Sequence, residues 1–321
     1  MTDTATLMAW VHTLSHAADD ILRIELRPDG PGPFPAFEPG AHIDLNLPNG
    51  LVRSYSLAND SRETHRYVLG VLKDRASRGG SRCVHEQLRV GTRLKISAPR
   101  NHFPLAASAT HSVLVAGGIG ITPILCMARA LHAQGRSVEV LYAARQRAGM
   151  AFVEELQCLN IPVTWHLDDE AGGAPDLRGW LAARPDAGGV HYYACGPAVM
   201  LDAFERLCAE LGYAHAHIER FAAVAIEAAA DARQSYTVEL RRSGKTITVT
   251  PDTTLYKALN AAKVAVPFSC EEGICGSCET RVIEGEPDHR DSVLTAAERA
   301  ANRVMMVCVS GCKSERLVLD L

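Results

Sequence analysis

The sequence predicts a multidomain chain of α/β and β structure: an antiparallel β-barrel, then a doubly wound parallel α/β domain, then a small C-terminal domain. Three observations carry this prediction. Residues 6–103 alternate short apolar runs with turn signals, strand and helix patterns then alternate four times, and a group of cysteines stands near the end. The domains are therefore placed at 1–104, 105–221 and 235–321, with an alanine-rich linker at 222–234.

The composition is that of an ordinary globular protein, with 47% hydrophobic and 22% charged residues and a formal net charge of −4. The lack of a basic excess disfavours nucleic acid as a partner. The N-terminal residues show no basic segment followed by an apolar run, and no stretch of ~18 apolar residues occurs, so we expect a soluble, cytoplasmic protein without a membrane span. Six of the ten cysteines are scattered, as expected of reduced thiols: Cys83, Cys126, Cys158, Cys195, Cys208 and Cys312.

The first domain is predicted from runs rich in β-branched and apolar residues that are separated by turns such as P-N-G and V-G-T. Their rhythm is typical of an antiparallel barrel or sandwich. Examples of the predicted strands are Ile21–Arg27, His42–Leu47, Val52–Leu57, Arg66–Leu72 and Leu94–Ser97.

One of these strands carries the sequence R-S-Y-S, formed by Arg53, Ser54, Tyr55 and Ser56. Because side chains alternate across a strand, Arg53 and Tyr55 share one face and the two serines share the other. An arginine fork is well suited to binding a phosphate. Taken alone, the motif is also compatible with an ordinary solvated strand.

A second motif, K-D-R-A-S-R-G-G-S, begins at Lys73, ends in Gly79, Gly80 and Ser81, and precedes a helical pattern. Small residues ahead of a helix leave backbone N–H groups free at its positive end, where a phosphate binds well. The alternative interpretation of this segment is a simple turn.

The second domain opens with a buried strand, His111–Ala116, which leads into the loop G-G-I-G of Gly117, Gly118 and Gly120. In doubly wound sheets ligands bind outside the carboxyl ends of the strands, and this loop lies at such an end. Its glycines would admit a pyrophosphate close to the backbone. The loop is not the G-x-G-x-x-G fingerprint of the common dinucleotide-binding domain, and tight strand-to-helix packing is the alternative.

A helix is predicted from Pro123 to Gln134, because proline suits the first helical position. Thr122 is the expected N-cap of this helix, and Gly135 is the expected C-terminal stop.

The alternation of strands and helices continues to the end of the domain, and the turn Cys195, Gly196 and Pro197 stands at another strand end. Such a turn would face the same ligand crevice as the G-G-I-G loop. Further strands are predicted at Val138–Ala144, Val163–Leu167, Val190–Cys195 and 215–221, with helices at Phe152–Leu159, Leu177–Ala183 and Ala198–Leu211.

The C-terminal domain is defined by the run C-E-E-G-I-C-G-S-C, which supplies Cys270, Cys275 and Cys278, and by the distant Cys308. Spacings of four and two residues followed by a long gap are those of plant-type 2Fe-2S ferredoxins. A zinc site, which usually repeats a short spacing in both halves, is the alternative. Cys308 follows a strand-like run and Cys312 lies in a predicted turn, so Cys308 is the preferred fourth ligand.

With these motifs in this order, the chain resembles the phthalate dioxygenase reductase and vanillate O-demethylase reductase family over essentially its whole length. That family joins a flavin-binding barrel, a pyridine-nucleotide domain and a β-grasp plant-type ferredoxin. The shared segments are R-S-Y-S, R-G-G-S, P-R-N-H-F, G-G-I-G-I-T-P, C-G-P and E-R-F. The chain departs from the family at Ser77, which replaces the first glycine of the phosphate segment.

The resemblance implies roles for several of these residues. Arg53, Tyr55 and Ser56 would hold the flavin, and the R-G-G-S segment would bind the phosphate of FMN. The G-G-I-G and C-G-P turns would border the nicotinamide site, and Phe221 would shield the flavin. Arg145 lies just after the second nucleotide strand and could bind a 2′-phosphate, so the residues alone leave both NADH and NADPH open. The family uses mainly NADH.

The implied activity is electron transfer from NADH through FMN to the 2Fe-2S cluster and on to a Rieske-type oxygenase that acts on an aromatic acid. FAD is the less favoured flavin. A flavin is required because nicotinamide gives up two electrons together whereas the cluster accepts one at a time. Two alternatives remain: a flavin and iron-sulfur reductase that serves another acceptor, and a redox-sensing electron-carrier module.

Overall fold

The chain divides into two compact units, Met1–Phe221 and Ala222–Leu321. The predicted linker 222–234 lies, except for its two end residues, outside the described residues. Within the described part of the chain, no helix is both long and apolar enough to cross a membrane. The structure is a computed structural model that describes residues 6–184, 188–222 and 234–321.

The first half of unit one is an antiparallel sheet of seven strands in the order β4-β3-β6-β1-β2-β5, with β7 paired to β3. A bridge between Leu57 and Leu69 joins the end of β4 to β5, so the two edges of the sheet meet. The predicted antiparallel barrel is therefore confirmed. Its strands are β1 (Thr6–Ala18), β2 (Ile21–Pro28), β3 (Ala41–Asn46), β4 (Val52–Ser56), β5 (Tyr67–Leu72), β6 (Arg93–Ser97) and β7 (Arg100–Asn101).

The long strand β1 lies within the predicted β-rich region but was not assigned individually, and its pairing with β2 gives the reason. The register shifts between Val11 and Thr13 and again between His16 and Ala18. Each irregularity breaks the two-residue alternation by which a strand is recognised in a sequence.

The barrel contains one helix, α1 (Gly80–Gln87), between β5 and β6. Gly79 precedes it with a φ of 97°, in the left-handed region that favours glycine. Cys83 and Val84 on the inner side of α1 are buried against the barrel core. The helical pattern predicted after the G-G-S segment is thus present.

The second half of unit one is a five-stranded parallel sheet in the order β10-β9-β8-β11-β12. The strand order reverses between β8 and β11, which is where doubly wound sheets open a ligand crevice. The predicted doubly wound α/β domain is therefore confirmed. Its elements are β8 (His111–Gly117), α2 (Ile121–Ala133), β9 (Ser137–Ala144), α3 (Val153–Gln157), β10 (Val163–Leu167), α4 (Asp168–Ala171), α5 (Leu177–Ala182), β11 (Val190–Cys195), α6 (Ala198–Glu210) and β12 (Ala216–Glu219).

The start of α2 differs from the prediction. A 3-10 turn at Gly118–Gly120 runs directly into the helix, and Gly120, not Thr122, is the N-cap. The hydroxyl of Thr122 instead donates a hydrogen bond to the carbonyl of Ile119 at 3.1 Å. Pro123 is therefore the third helical residue. The N–H groups of the first helical turn have no intrahelical partner, so the missing N–H of this proline costs no hydrogen bond.

A shared apolar core joins the two halves of unit one. Val68 of the barrel belongs to the same buried cluster as Leu114 of β8 and Ile124 of α2. Gly70 of β5 lies so close to Thr122 and Phe152 that a Cβ there would meet each side chain at 2.8 Å. The barrel and the parallel sheet are consequently held in one fixed arrangement.

Unit two contains a five-stranded mixed sheet in the order β14-β13-β19-β15-β17, together with a two-stranded sheet of β16 and β18. Thr254 caps α7 by accepting a hydrogen bond from the Lys257 N–H. The elements are β13 (Tyr236–Leu240), β14 (Lys245–Val249), α7 (Leu255–Ala261), β15 (Glu279–Glu284), β16 (Pro287–Asp288), α8 (Ala296–Ala301), β17 (Val304–Met306), β18 (Gly311–Cys312) and β19 (Arg316–Leu319).

Candidate functional site

The R-S-Y-S strand and the G-G-S segment meet at the start of α1. A Cβ at Gly80 would lie 2.7 Å from Cγ and 2.8 Å from Nε of Arg53. The absence of a side chain at Gly80 therefore lets the arginine lie against the first turn of the helix. One guanidinium nitrogen, Nη1, donates to the carbonyl of Val52 at 2.7 Å, which holds the fork near this helix end.

The first turn of α1 is suited to an anion because no side chain among the described residues caps it. Its N–H groups stand at the positive end of the helix dipole, beside the Arg53 side chain. Ser77, which departs from the family pattern, accepts a hydrogen bond from the Gly79 N–H at 3.1 Å and so supports the turn. The hydroxyl of Ser81 accepts from the Asp74 N–H at 3.2 Å. Glycine backbone, uncapped helix and arginine together fit the phosphate of a flavin nucleotide.

Other predicted flavin residues have local partners. On the face of β4 that carries the serines, the hydroxyl of Ser54 donates to Asp44 at 2.6 Å. On the opposite face, burial raises the pKa of Tyr55, so its hydroxyl stays protonated. Lys73 pairs on the surface with Glu86 at 3.0 Å. The roles of these three residues toward a flavin remain predictions.

The G-G-I-G loop and the C-G-P turn touch each other at the carboxyl ends of β8 and β11. A Cβ at Gly120 would lie 2.1 Å from the carbonyl oxygen of Cys195, and one at Gly117 would lie 2.7 Å from Pro197. A Cβ at Gly196 would lie 3.0 Å from the Cα of Gly117. Both segments therefore need glycine to approach this closely.

Gly118 is different from its neighbours because it borders open space. Its φ is 53°, and a Cβ built on it would meet no heavy atom of the described residues within 4 Å. The opening lies at the start of α2, where a nucleotide phosphate would face the helix dipole. Thr122 and Pro123 are buried behind it, so they support the loop.

A half-buried acid links the R-S-Y-S strand to the last strand of the parallel sheet, and sequence patterns alone did not reveal it. The Ser56 hydroxyl donates a hydrogen bond to Glu219 Oε2 at 3.1 Å. Glu219 pairs with Cys195 in the register of β12 and β11. Its position two residues before Phe221, at a strand end beside the C-G-P turn, was the signal that could have revealed it.

Electrostatics at this contact favour neutral groups. Burial raises the pKa of Glu219 to about 8, although the Ser56 hydrogen bond acts in the opposite direction. Burial, and then the nearby Glu219, raise the pKa of Cys195 well above its ordinary value. The Cys195 thiol is 0% exposed, which fits packing in the crevice and not a nucleophilic role.

Two further predicted residues lie at the rim of unit one. Phe221 follows β12 and is 38% exposed, although it is a large apolar side chain. Arg220 beside it is anchored to Asp202 at 2.7 Å and to Glu205 of α6, which fixes the chain just before the aromatic ring. Arg145 follows the carboxyl end of β9 and is exposed.

Four thiols converge in unit two. The Cys270 thiol contacts those of Cys275 and Cys308, and Cys308 also contacts Cys278. All four cysteines are at most 8% exposed. In the described ranges no group of three or more His, Cys, Asp or Glu side chains is placed to hold a metal ion as a single centre. The contacts instead link the thiols in the order Cys275, Cys270, Cys308 and Cys278, and four thiols are the number that a 2Fe-2S cluster would need.

Backbone N–H groups surround these thiols. The N–H groups of Glu272 and Ile274 donate to Cys270, the former at 3.3 Å, and the N–H of Gly273 donates to Cys308. The loop reaches this shape because Gly273 and Gly276 both have a φ of 69°. Such donors stabilise sulfur that carries negative charge and tune the potential of a bound cluster.

Ionisation of several of these thiols together is unfavourable when no cation balances their negative charges. The hydrogen bond of Cys275 with Cys270, followed by burial, raises the pKa of the Cys275 thiol. Iron would remove this penalty because ligand thiols lose their protons on metal binding. The donor set therefore fits an iron-sulfur cluster.

Cys312 lies elsewhere. It belongs to β18, which pairs with β16, and its thiol donates to the carbonyl of Ser314 at 3.0 Å. This thiol is thus directed into its own turn.

Two family models match parts of the chain. Residues 238–313 match the 2Fe-2S iron-sulfur cluster binding domain. Residues 92–218 match the N-terminal domain of the dimethylamine monooxygenase subunit DmmA-like family.

Two relatives match the chain over nearly its whole length. The chain is 46% identical over 311 residues to phenoxybenzoate dioxygenase subunit beta of Ectopseudomonas oleovorans, covering 97% of this chain and 96% of that protein. It is 46% identical over 312 residues to a vanillate O-demethylase oxidoreductase of Pseudomonas sp. (strain HR199 / DSM 7063), covering 95% and 96%.

A solved structure also matches the chain over nearly its whole length. Phthalate dioxygenase reductase, described as a modular structure for electron transfer from pyridine nucleotides to [2Fe-2S], superposes with a TM-score of 0.72 at 39% identity and covers 99% of this chain and 98% of that one. The chain belongs to the phthalate dioxygenase reductase and vanillate O-demethylase reductase family, whose members are NAD(P)H-dependent oxidoreductases with flavin, nucleotide and 2Fe-2S ferredoxin domains.

Proposed function

We propose that the protein is an NADH-dependent reductase that passes electrons through FMN and a 2Fe-2S cluster to a Rieske-type oxygenase or O-demethylase. The observation that supports it best is the contact between Ser56 of the R-S-Y-S strand and Glu219 at the edge of the nucleotide sheet. This contact brings the proposed flavin site and nicotinamide site together within unit one. Hydride transfer requires that closeness of donor and acceptor.

When bound, the flavin would supply the conversion of a hydride pair into single electrons, and the cluster would supply one-electron transfer. The chain's own residues do the binding and the orienting. Arg53 and the first turn of α1 would hold the flavin phosphate, and Tyr55 would pack on the flavin. Gly118 would leave room for the nucleotide at the start of α2. Phe221 would cover the flavin before the nicotinamide arrives.

Glu219 has a further part in this proposal. A carboxyl that stays neutral near pH 7 offers a hydrogen-bond donor without adding a negative charge beside a group that receives electrons. Cys195, packed behind it, shapes the floor of the nicotinamide site. Neither residue needs to exchange a proton for hydride to pass between two cofactors.

The choice of flavin and the choice of nucleotide are based on the family resemblance. FMN is proposed over FAD, because the phosphate site at α1 accounts for one phosphate and the family resemblance supplies the rest. NADH is proposed over NADPH. Arg145, at the exposed end of β9, is the residue that would bind the 2′-phosphate if NADPH were the donor. A cytoplasmic location is part of the same proposal.

The partner is proposed from the relatives. One relative is named as a subunit of phenoxybenzoate dioxygenase and another as a vanillate O-demethylase oxidoreductase. An oxygenase is therefore the proposed electron acceptor here, with a Rieske-type component as the specific form. The aromatic substrate would bind to that partner and not to this chain.

The order of electron transfer is tested by Cys275→Ser. The wild-type protein, purified aerobically, should show both flavin and 2Fe-2S absorption and should oxidise NADH faster than NADPH. In the variant we expect NADH–ferricyanide activity to stay within about twofold of wild type, because the flavin can reduce ferricyanide directly. Cytochrome c reduction should fall at least tenfold because the cluster is lost. Equal loss of both activities would contradict transfer through the cluster, and a wild type without flavin absorption would contradict the function itself.

The choice of the fourth ligand is tested by a matched pair of variants. Cys308→Ser should lose the 2Fe-2S absorption and the EPR signal of the reduced cluster, because one of the four converging thiols is removed. Cys312→Ser should keep both, since its thiol is bonded within its own turn. The assignment is wrong if Cys312→Ser loses the cluster while Cys308→Ser retains it.

The raised pKa of Glu219 predicts a pH dependence of stability. The folded protein keeps this proton up to about pH 8, while the unfolded chain releases it near pH 4.3. Stability is therefore lost as pH rises between these values. Glu219→Gln should melt a few degrees above wild type at pH 8.5 and at nearly the same temperature at pH 4.5.

The control for this measurement is Glu170→Gln, which alters an exposed carboxylate in α4 of the same unit. It should leave the melting temperature unchanged at both pH values. A Glu219→Gln effect of the same size at pH 4.5 and pH 8.5 would contradict a carboxyl that stays neutral in the folded protein.

A further inference from the structure

A buried histidine and aspartate lie behind the cysteine loop of unit two. His289 and Asp291 follow β16, with side chains 8% and 0% exposed. His289 is the only histidine in the sequence from residue 222 to the C-terminus. Neither residue is among the predicted iron ligands, and the proposed function gives neither a role.

Asp291 is joined to the loop through one peptide group. A Cβ at Gly273 would lie 3.0 Å from the Cα of Asp291, so the two backbones are in contact. The N–H of Ser292 donates to the carbonyl of Gly273 at 2.8 Å. The N–H of the same Gly273 donates to the Cys308 thiol. The backbone of Asp291 and Ser292 therefore contacts the residue whose N–H donates to a proposed cluster ligand.

The two oxygens of Asp291 have different surroundings. Oδ1 accepts hydrogen bonds from the N–H groups of Val293 at 3.0 Å and Leu294 at 2.8 Å. Oδ2 is buried, has no hydrogen-bond partner among the described residues, and lies 3.9 Å from Nδ1 of His289. The first oxygen fixes the backbone, and the second faces the imidazole.

The imidazole is arranged to accept a proton on that side. Its Nε2 lies 3.1 Å from Oδ1 of Asn302, and an amide oxygen can only accept, so Nε2 carries a hydrogen. Nδ1 is buried and also lacks a hydrogen-bond partner in the described part of the chain. In the neutral ring Nδ1 is an acceptor that faces the carboxylate, another acceptor. A proton on Nδ1 turns this opposed pair into an ion pair.

The charges around the pair are mostly negative. Glu279 of β15 and Glu298 of α8 interact electrostatically with each other, and Asp291 acts on Glu279 as well. Arg299 of α8 is the cation on this side, and it donates to the backbone carbonyl of Asp291 and not to the carboxylate. Asp288 and Arg290, the chain neighbours of His289, pair with each other.

We propose that His289 and Asp291 form a proton-accepting pair whose protonation is linked to the redox state of the cluster, an inference that rests on the proposed function. On reduction, one electron from the flavin enters the cluster and one proton from water binds His289 Nδ1. On oxidation by the partner, the electron leaves and the proton returns to water. The added negative charge on the reduced cluster stabilises the imidazolium, so the reduced form binds the proton more tightly.

The test is a redox titration of the full-length protein with both cofactors bound, in which the cluster is followed by EPR between pH 6 and pH 9. The midpoint potential should fall as pH rises, with a slope approaching about 59 mV per pH unit where one proton accompanies one electron. Asp291→Asn should flatten this dependence, because an amide N–H that donates to Nδ1 holds the ring neutral. His289→Gln should flatten it as well.

Asp288→Asn is the matched control, because its carboxylate pairs with Arg290 at the surface and not with the imidazole. It should keep the wild-type slope. A potential that does not vary with pH in wild-type protein overturns the proposal, as does a slope that persists in His289→Gln or Asp291→Asn protein with an assembled cluster. A wild-type protein without a 2Fe-2S signal would instead overturn the proposed function, so the two failures are distinguishable.

Discussion

The contact of Gly120 with the backbone of Cys195 and Gly196 is the constraint on which unit one depends. It joins the two strands at which the order of the parallel sheet reverses. Through the shared apolar core, the same region of α2 is packed against the barrel. The proposed flavin strand and the proposed nicotinamide edge therefore meet at one place, with Ser56 and Glu219 in hydrogen-bond contact. A rigid meeting point suits a reaction that depends on the distance between donor and acceptor.

A second constraint acts in unit two, where four buried thiols must share a small volume. Left-handed glycines at 273 and 276 turn the loop so that backbone N–H groups point at sulfur. Asp291 then supports the loop from behind by binding two N–H groups of its own segment. The four thiols, the N–H donors around them and the supporting Asp291 thus lie one behind the other. Each of the three offers a way of tuning the potential of a cluster held there.

The sequence predicted the elements whose patterns are regular and local. The parallel strands from β8 to β11, the glycine stop after α2 and the cysteine spacing all follow from short-range rules, and the fold class is confirmed. The failures have physical causes. Two register irregularities interrupt the alternation of β1, so its pattern was not recognised as a strand. Gly120 and not Thr122 is the N-cap of α2, because the preceding 3-10 turn starts the helix earlier. Glu219 and His289 were missed because their importance depends on burial and on partners that are distant in the sequence.

The central claim is that the flavin held by unit one is an obligatory intermediate between NADH and the cluster held by unit two. Its most direct test is the rate of cluster reduction after anaerobic rapid mixing with NADH, in protein that has lost its flavin but kept its cluster and in fully loaded protein. Flavin absorbance should decrease before cluster absorbance in loaded protein, and the cluster should stay oxidised in flavin-free protein until flavin is restored. Reduction of the cluster at the same rate without flavin would contradict this claim.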